Sequence, residues 1–330
     1  MKTVSEGAFV MKKFLSVVAC FLCLTMLFLT ACGRKGAEGS NGSDPASSGS
    51  GDTQIQSKPT EPSVPVVLKP ADLFIVGDST ACAFEDDYFY PRYGFGTQIS
   101  QYMDQNLTIH NLAVPGKSSR SFVVEPNYLT LVQNLGEGDY LLIAFGHYDE
   151  NEADSFAFTD ASKDHNDPKS IGYHLNQFYI KLALSKGAIP ILCTPIVRAS
   201  ADNDYAGVDG HITENGDYRQ AILDLAAAMN VPVVDLTAIT VASYSQLGFD
   251  EAITFHAVAA GKYGSDDKTV VPDLTTADLT CLNIYGAKYV AYLLAGELKK
   301  IDSIGDYVLS GIAEPTIEDL MPNPNYVIWN

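Results

Sequence analysis

Positive charge is scarce in this sequence: 21 lysines and arginines face 40 aspartates and glutamates, for a formal net charge of −19. A field of that sign argues against nucleic acid as a partner and against electrostatic adhesion to anionic lipid. It also mildly repels a polyanionic substrate, except where a local basic patch such as Lys117 and Arg120 overrides it. Cysteine is thin as well. Cys20 and Cys23 fall in an apolar N-terminal run and Cys32 just after it, which leaves Cys82, Cys193 and Cys281. An odd number at wide spacing is neither a disulfide framework nor a zinc pattern. No internal repeat is present, and no motif implies a metal or an organic cofactor. What is plentiful is apolar side chain, 46% of 330 residues, enough to fill one large core or two small ones.

The N-terminus reads as an export signal. Met11-Lys12-Lys13 is a charged start, and Phe14 to Thr30 is an apolar run about as long as a signal-peptide core. It ends in Leu29-Thr30-Ala31-Cys32, which resembles the lipobox of bacterial lipoproteins, with small residues before an acceptor cysteine. The resemblance implies removal of residues 1–31, lipid on Cys32, and an extracytoplasmic chain anchored to the cell membrane. Cleavage takes away three lysines and one glutamate, leaving a net charge of −21. A retained transmembrane anchor and a secretory signal cut elsewhere stay open. A single apolar run closing on small residues fits removal better than spanning. The first ten residues add nothing to the signal, so Met1 and Met11 both stand open as the start.

Residues 33–66 are rich in Gly, Ser, Pro and charge, with almost no large apolar side chains. Such a stretch buries too little surface to offset its ordering, so 32–66 is expected to be a lipidated cysteine followed by a flexible tether. A folded domain over 67–311 and a Pro-rich tail over 312–330 complete the expected organisation. Within the domain, short apolar runs at Leu73–Val76, Leu107–Val114, Tyr140–Phe145, Ile189–Cys193 and Val231–Leu236 read as strands. Helical periodicity lies between them, at Gly94–Gln105, Ile171–Lys186, Gly216–Met229 and Asn283–Lys299. Five β-runs alternating with helices predict an α/β domain: a parallel sheet covered on both faces. The long polar connections 146–172 and 197–216 are where such a domain carries its site.

The first candidate for chemistry is Gly77-Asp78-Ser79-Thr80, directly after the first apolar run. A serine at the carboxyl end of the first strand, opening a helix, projects into the crevice where α/β sheets bind ligands. Adjoining backbone N–H groups there can hold a developing oxyanion. By itself the tetrapeptide is also a common turn and helix-cap sequence. Three further blocks give it company. Asn111-Leu112-Ala113-Val114-Pro115-Gly116-Lys117-Ser118-Ser119-Arg120-Ser121-Phe122 follows the second strand, Phe145-Gly146-His147-Tyr148-Asp149-Glu150 the third, and Asp278-Leu279-Thr280-Cys281 precedes the last helix.

In this order the blocks resemble the SGNH (GDSL-like) hydrolases, and more closely their rhamnogalacturonan-acetylesterase-like branch, over about Leu73 to Leu294. The resemblance implies a three-layer α/β/α sandwich with five mostly parallel strands in the order 2-1-3-4-5, and ester hydrolysis without a cofactor. Ser79 matches the nucleophile and, through its N–H, one oxyanion donor; the Gly116 N–H matches a second. Two positions depart from the pattern. Tyr148 stands where the family has an asparagine donor, and Cys281 where it has the histidine that pairs with an aspartate, here Asp278. Imidazole takes a serine proton well because its pKa lies near neutrality. A thiol is shorter and titrates at about 8.5, so it cannot relay a proton while Asp278 orients its far side.

His147 is the first candidate for a substitute base, since its strand abuts that of Ser79, although the family pattern has a histidine there too. Arg120, His211 and His256 are candidates for the substrate cleft, with surface pairing or a structural role as the alternative. Arg198 is open to the same two readings, while His110, His165 and His174 are expected to be surface or packing residues. Tyr88, Phe89, Tyr90 and Tyr93 either stack on sugar rings or pack the first helix. The acids from Asp149 to Asp167 lack the spacing of a calcium loop and read as a solvated loop, and Cys193 reads as core. The expected function is removal of acyl groups, acetyl above all, from polysaccharide or oligosaccharide outside the cytoplasm. A surface carbohydrate-binding pseudoenzyme is the alternative.

Overall fold

The computed structural model describes residues 67–84, 92–257 and 278–315. The signal, Cys32, the 33–66 tether, the aromatic residues Tyr88, Phe89 and Tyr90, and residues 316–330 of the tail lie outside them. Five parallel strands form the central sheet: β1 Ala71–Gly77, β2 Leu107–Asn111, β3 Tyr140–Ala144, β4 Ile189–Cys193 and the two-residue β7 Val233–Val234. Their order is β2-β1-β3-β4-β7, the expected 2-1-3-4-5. A separate antiparallel pair, β5 Ile212–Thr213 and β6 Gly216–Asp217, sits in the connection after β4.

Strand periodicity explains why both faces are covered. Leu73 and Ile75 of β1 join one core, with Tyr140, Leu142 and Ala144 of β3. The intervening Phe74 and Val76 join the opposite core, with Leu141 and Ile143. The first core is closed by α7 (Ile284–Leu298), whose Val290, Ala291, Leu294 and Leu298 are fully buried. The second is closed by α1 (Pro126–Asn134), by α2 (Ile171–Leu175) running through a π-turn at Asn176–Ile180 into α3 (Lys181–Ser185), and by α4 (Tyr218–Met229). Among the described residues no helix is long and apolar enough to cross a membrane.

Several elements differ from expectation, each for a local reason. Gly94–Gln105 forms two short 3₁₀ turns, Phe95–Thr97 and Ile99–Tyr102, not an α-helix. Here the chain presses on the turn after β1: a Cβ on Gly94 would stand 2.2–2.4 Å from the backbone of Ala81 and Cys82. The residues after Ser79 form a turn rather than opening a helix. The apolar run 231–236 yields only two strand residues because Asp235 caps a new helix, α5 (Leu236–Leu247), accepting from the Ala238 N–H at 3.1 Å. A short helix α6, Phe249–Ala252, follows.

Candidate active site

The sheet delivers Ser79 to its carboxyl edge. Beyond Gly77 the chain turns, and the fully buried Asp78 knits that turn together. Its Oδ1 accepts from the Thr80 N–H at 3.0 Å and the Thr80 hydroxyl at 2.8 Å, and its Oδ2 from the His147 N–H at 3.2 Å. Burial works to raise the Asp78 carboxyl, but the His147 imidazole and the Thr80 bonds outweigh it and hold the group below its ordinary value. Ser79 itself is half-buried, with its side chain in hydrogen-bonding reach of the Cys281 thiol.

Gly116 reaches the same edge from β2, where the Val114 N–H donates to Gly77 O at 3.1 Å. Its φ of +69° is a left-handed conformation that favours glycine. The Tyr148 ring lies over it, 3.9 Å from where a Cβ would stand. The two loops are pinned by Asp149, which is fully buried and accepts from the Ser119 N–H at 3.0 Å, the Ser119 hydroxyl at 2.5 Å and the Thr159 hydroxyl at 2.8 Å. Burial pushes its carboxyl up to about 7 against those bonds.

Asp278 approaches from the other side. Its Oδ1 accepts from the N–H groups of Thr280 at 3.1 Å and Cys281 at 2.8 Å, and its Oδ2 from Arg92 Nε at 2.7 Å. Burial opposes ionisation of Asp278, yet the Cys281 N–H and Arg92 together keep its carboxyl below the usual range. The Cys281 thiol is pushed up to about 12, chiefly by burial and then by the Asp278 charge. It therefore holds its proton at neutral pH. The structure thus brings Ser79, Cys281 and Asp278 together at one edge of the sheet, with Gly116 and Tyr148 held together in the loops after β2 and β3.

The other candidates lie deeper or elsewhere. His147 is buried, its ring edge-on to His211 at 4.6 Å and its Nδ1 3.5 Å from Asp78 Oδ2. Neither ring nitrogen has a well-directed hydrogen bond among the described residues. His211 is fully buried and committed, through Nε2 to Ile196 O at 2.6 Å and through Nδ1 to Glu150. His256 is also fully buried, its Nε2 3.1 Å from the Tyr244 hydroxyl, and burial lowers its imidazole to about 4. Its backbone pairs with Leu282 and so braces the 278–281 turn. Arg120 is exposed and donates to the carbonyls of Ser155 and Phe158 at 3.2 and 3.3 Å, while Lys117 pairs with Glu125 at 2.7 Å.

Three residues acquire roles that their types alone did not signal. Glu150, expected on a solvated loop, is buried against Arg198 at 3.0 Å and against His211. Arg198 also donates to Val208 O at 2.6 Å and to the Thr280 hydroxyl at 3.2 Å, so it ties the 208 loop and the loop after β3 to the Asp278 turn. Arg92, a lone arginine in an irregular stretch, has no spacing signature. The nearby Gly94 is the one hint that its segment runs against the turn after β1. The remaining acids of the 154–167 loop cap their own backbone: Asp154, Asp160, Asp164 and Asp167 each accept from an N–H two residues on.

A family model described as GDSL-like Lipase/Acylhydrolase matches residues 73–293, from β1 into α7 and across every element of this edge. The chain belongs to that family. Among its relatives, "Rhamnogalacturonan acetylesterase RhgT" of Bacillus subtilis (strain 168) is 30% identical over 188 residues, 57% of this chain and 74% of that one. "Probable rhamnogalacturonan acetylesterase YesY" of the same organism is 26% identical over 189 residues, 57% and 81% of the two chains. The crystal structure of the YxiM protein of Bacillus subtilis superposes with a TM-score of 0.53 at 23% identity, over 71% of this chain and 57% of that one. That likeness is one of fold. The GDSL-like family is one of ester hydrolases, and the five-stranded parallel sheet flanked by helices is consistent with its fold.

Proposed function

We propose that this GDSL-like chain is an extracytoplasmic serine esterase that removes acyl groups, acetyl above all, from polysaccharide or oligosaccharide. The observation that carries the reading is the meeting of the Ser79 turn and the Asp278–Cys281 turn at the carboxyl edge of the sheet, beside the loop that carries Gly116. The substrate class is supported by the names of the two acetylesterase relatives. Ser79 Oγ attacks the ester carbonyl carbon, the N–H groups of Ser79 and Gly116 take the oxyanion, and the sugar alcohol leaves with a proton. Water then cleaves the acyl-serine and releases the acid. The proton needs a carrier. The Cys281 thiol does not serve, so either the step is slow or His147, whose ring nitrogens have no well-directed bond, carries it.

The elevated thiol favours a second reading, a surface carbohydrate-binding pseudoenzyme that keeps the cleft and has lost turnover. In either case Leu29–Cys32 supports export and a lipid anchor. One experiment separates the readings. The purified full chain is assayed for acetate release from an acetylated pectin fragment and for hydrolysis of p-nitrophenyl acetate, with Ser79→Ala as the blank, and Cys32→Ala is followed by membrane fractionation. Activity that disappears with Ser79 supports the esterase. Equal activity in Ser79→Ala refutes it, and binding without hydrolysis supports the pseudoenzyme. Cys32→Ala should leave the membrane fraction or stay uncleaved; unchanged fractionation with a mature N-terminus elsewhere overturns the anchor.

A further inference from the structure

The guanidinium of Arg92 lies inside the candidate site. Its Nε donates to Asp278 Oδ2 at 2.7 Å, and it also reaches the Cys281 thiol. The backbone next to it is fixed on two sides: the Tyr93 N–H donates to Leu282 O at 2.8 Å and the Gly94 N–H to Cys82 O at 3.0 Å. One short segment is therefore laced both to the turn that carries Ser79 and to the turn that carries Cys281.

The Asp278 side chain is only 18% exposed. Its Oδ1 is engaged by two backbone N–H groups, so Oδ2 needs a further donor, and a half-buried carboxylate needs a compensating charge. A thiol at position 281 supplies no charge. We propose that Arg92 is the positioning residue that holds Asp278, and with it the 278–281 turn, by supplying the charge that the Cys281 side chain does not. This rests on Ser79 and Asp278 being the esterase site. It follows that one substitution does not restore a full base. An imidazole at 281 would share Asp278 with a guanidinium, and a neighbouring cation disfavours its protonation. Imidazolium is the state a general base passes into as serine attacks, so Arg92 opposes the very step a histidine would assist.

The test compares Cys281→His, Arg92→Gln, Arg92→Lys with Cys281→His, and the Arg92→Gln/Cys281→His double variant, all as full chains. Carbon-13 histidine labelling with NMR titration reads the pKa of the introduced imidazole. It should rise by about one unit or more when Arg92→Gln is added and stay low when Arg92→Lys keeps the cation. In the pH profile of kcat/KM on p-nitrophenyl acetate, the double variant should exceed Cys281→His by about tenfold. Arg92→Gln alone should melt below wild type, and Cys281→His should recover the loss. An imidazole pKa indifferent to Arg92→Gln overturns the proposal, as does a double variant that melts no higher than Arg92→Gln alone or does not fold. The titration needs no turnover, so a shifted pKa in an inactive protein counts against the esterase reading and leaves the Arg92 assignment standing.

Discussion

A phenol is laid over Gly116, the proposed oxyanion donor. In the family pattern an amide side chain at this position donates the third hydrogen bond; the Tyr148 ring instead covers the glycine at 3.9 Å. One such donor is worth on the order of 10²–10³ in kcat. Tyr148→Asn should therefore raise kcat well above tenfold with little change in KM, because the amide acts only once charge develops on the carbonyl oxygen. Steady-state kinetics on p-nitrophenyl acetate check this; a gain confined to KM would mean the ring only blocks substrate entry. Ser79, Gly116 and Asp278 could be picked out in the sequence as candidates because Ser79 and Gly116 lie in loops that follow strands and Asp278 lies just before the last helix. Arg92 was not legible. Its role depends on which carboxylate it meets after folding, and no spacing encodes that.

At the scale of elements, the sheet could be read because β1 from Leu73 to Val76 and all of β3 form unbroken apolar, buried runs, as burial on both faces requires. The segment Gly94–Gln105 misled because helical periodicity reports which side is apolar, not how close the backbone must approach its neighbour. The acids after β3 misled in the opposite sense: Asp149 is buried, the Glu150 side chain is only 7% exposed, and both act as pins between loops. Arg198 is the matching pin from the loop after β4. Arg198→Met leaves Glu150, 7% exposed, with His211 as its one ion-pair partner among the described residues, and unpairing a buried charge costs about 3–5 kcal/mol. A loss near the lower end of that range in urea unfolding is expected, since His211 remains. Its companion, Arg198→Met with Glu150→Gln, should recover much of the stability. If the single variant loses under ~1 kcal/mol, the network is a surface ornament with little hold on the Asp278 turn.

For the molecule as a whole, these buried groups set how stability follows pH. His174, His211 and His256 all have lowered values, the first and last about 4, because burial disfavours their charged forms. Between roughly pH 4 and 6.5 the unfolded chain binds protons at these imidazoles that the folded chain does not, so stability rises with pH there. Asp149 works in the other direction. Its folded value is about 7, well above that of a free aspartate, so the folded chain holds a proton the unfolded chain has released, and its contribution falls as pH rises through that window. Asp149→Asn should remove the opposing slope and steepen the rise of unfolding free energy by about 1.4 kcal/mol per pH unit near pH 5. Urea titrations at several pH values measure this. An unchanged slope would place the Asp149 proton in solvent at pH 5.

The bond from Arg92 to Asp278 joins residues 186 apart in sequence, and the Tyr93 to Leu282 bond beside it spans a similar distance. These contacts cannot form before residues 278 and 282 have been made. A nascent chain, or one threaded through a membrane from its N-terminus, carries Ser79 early and Asp278 late. The seam that gathers the candidate site is thus also a clock: Ser79 stands without the Asp278 turn until that late segment has been made and folded against it.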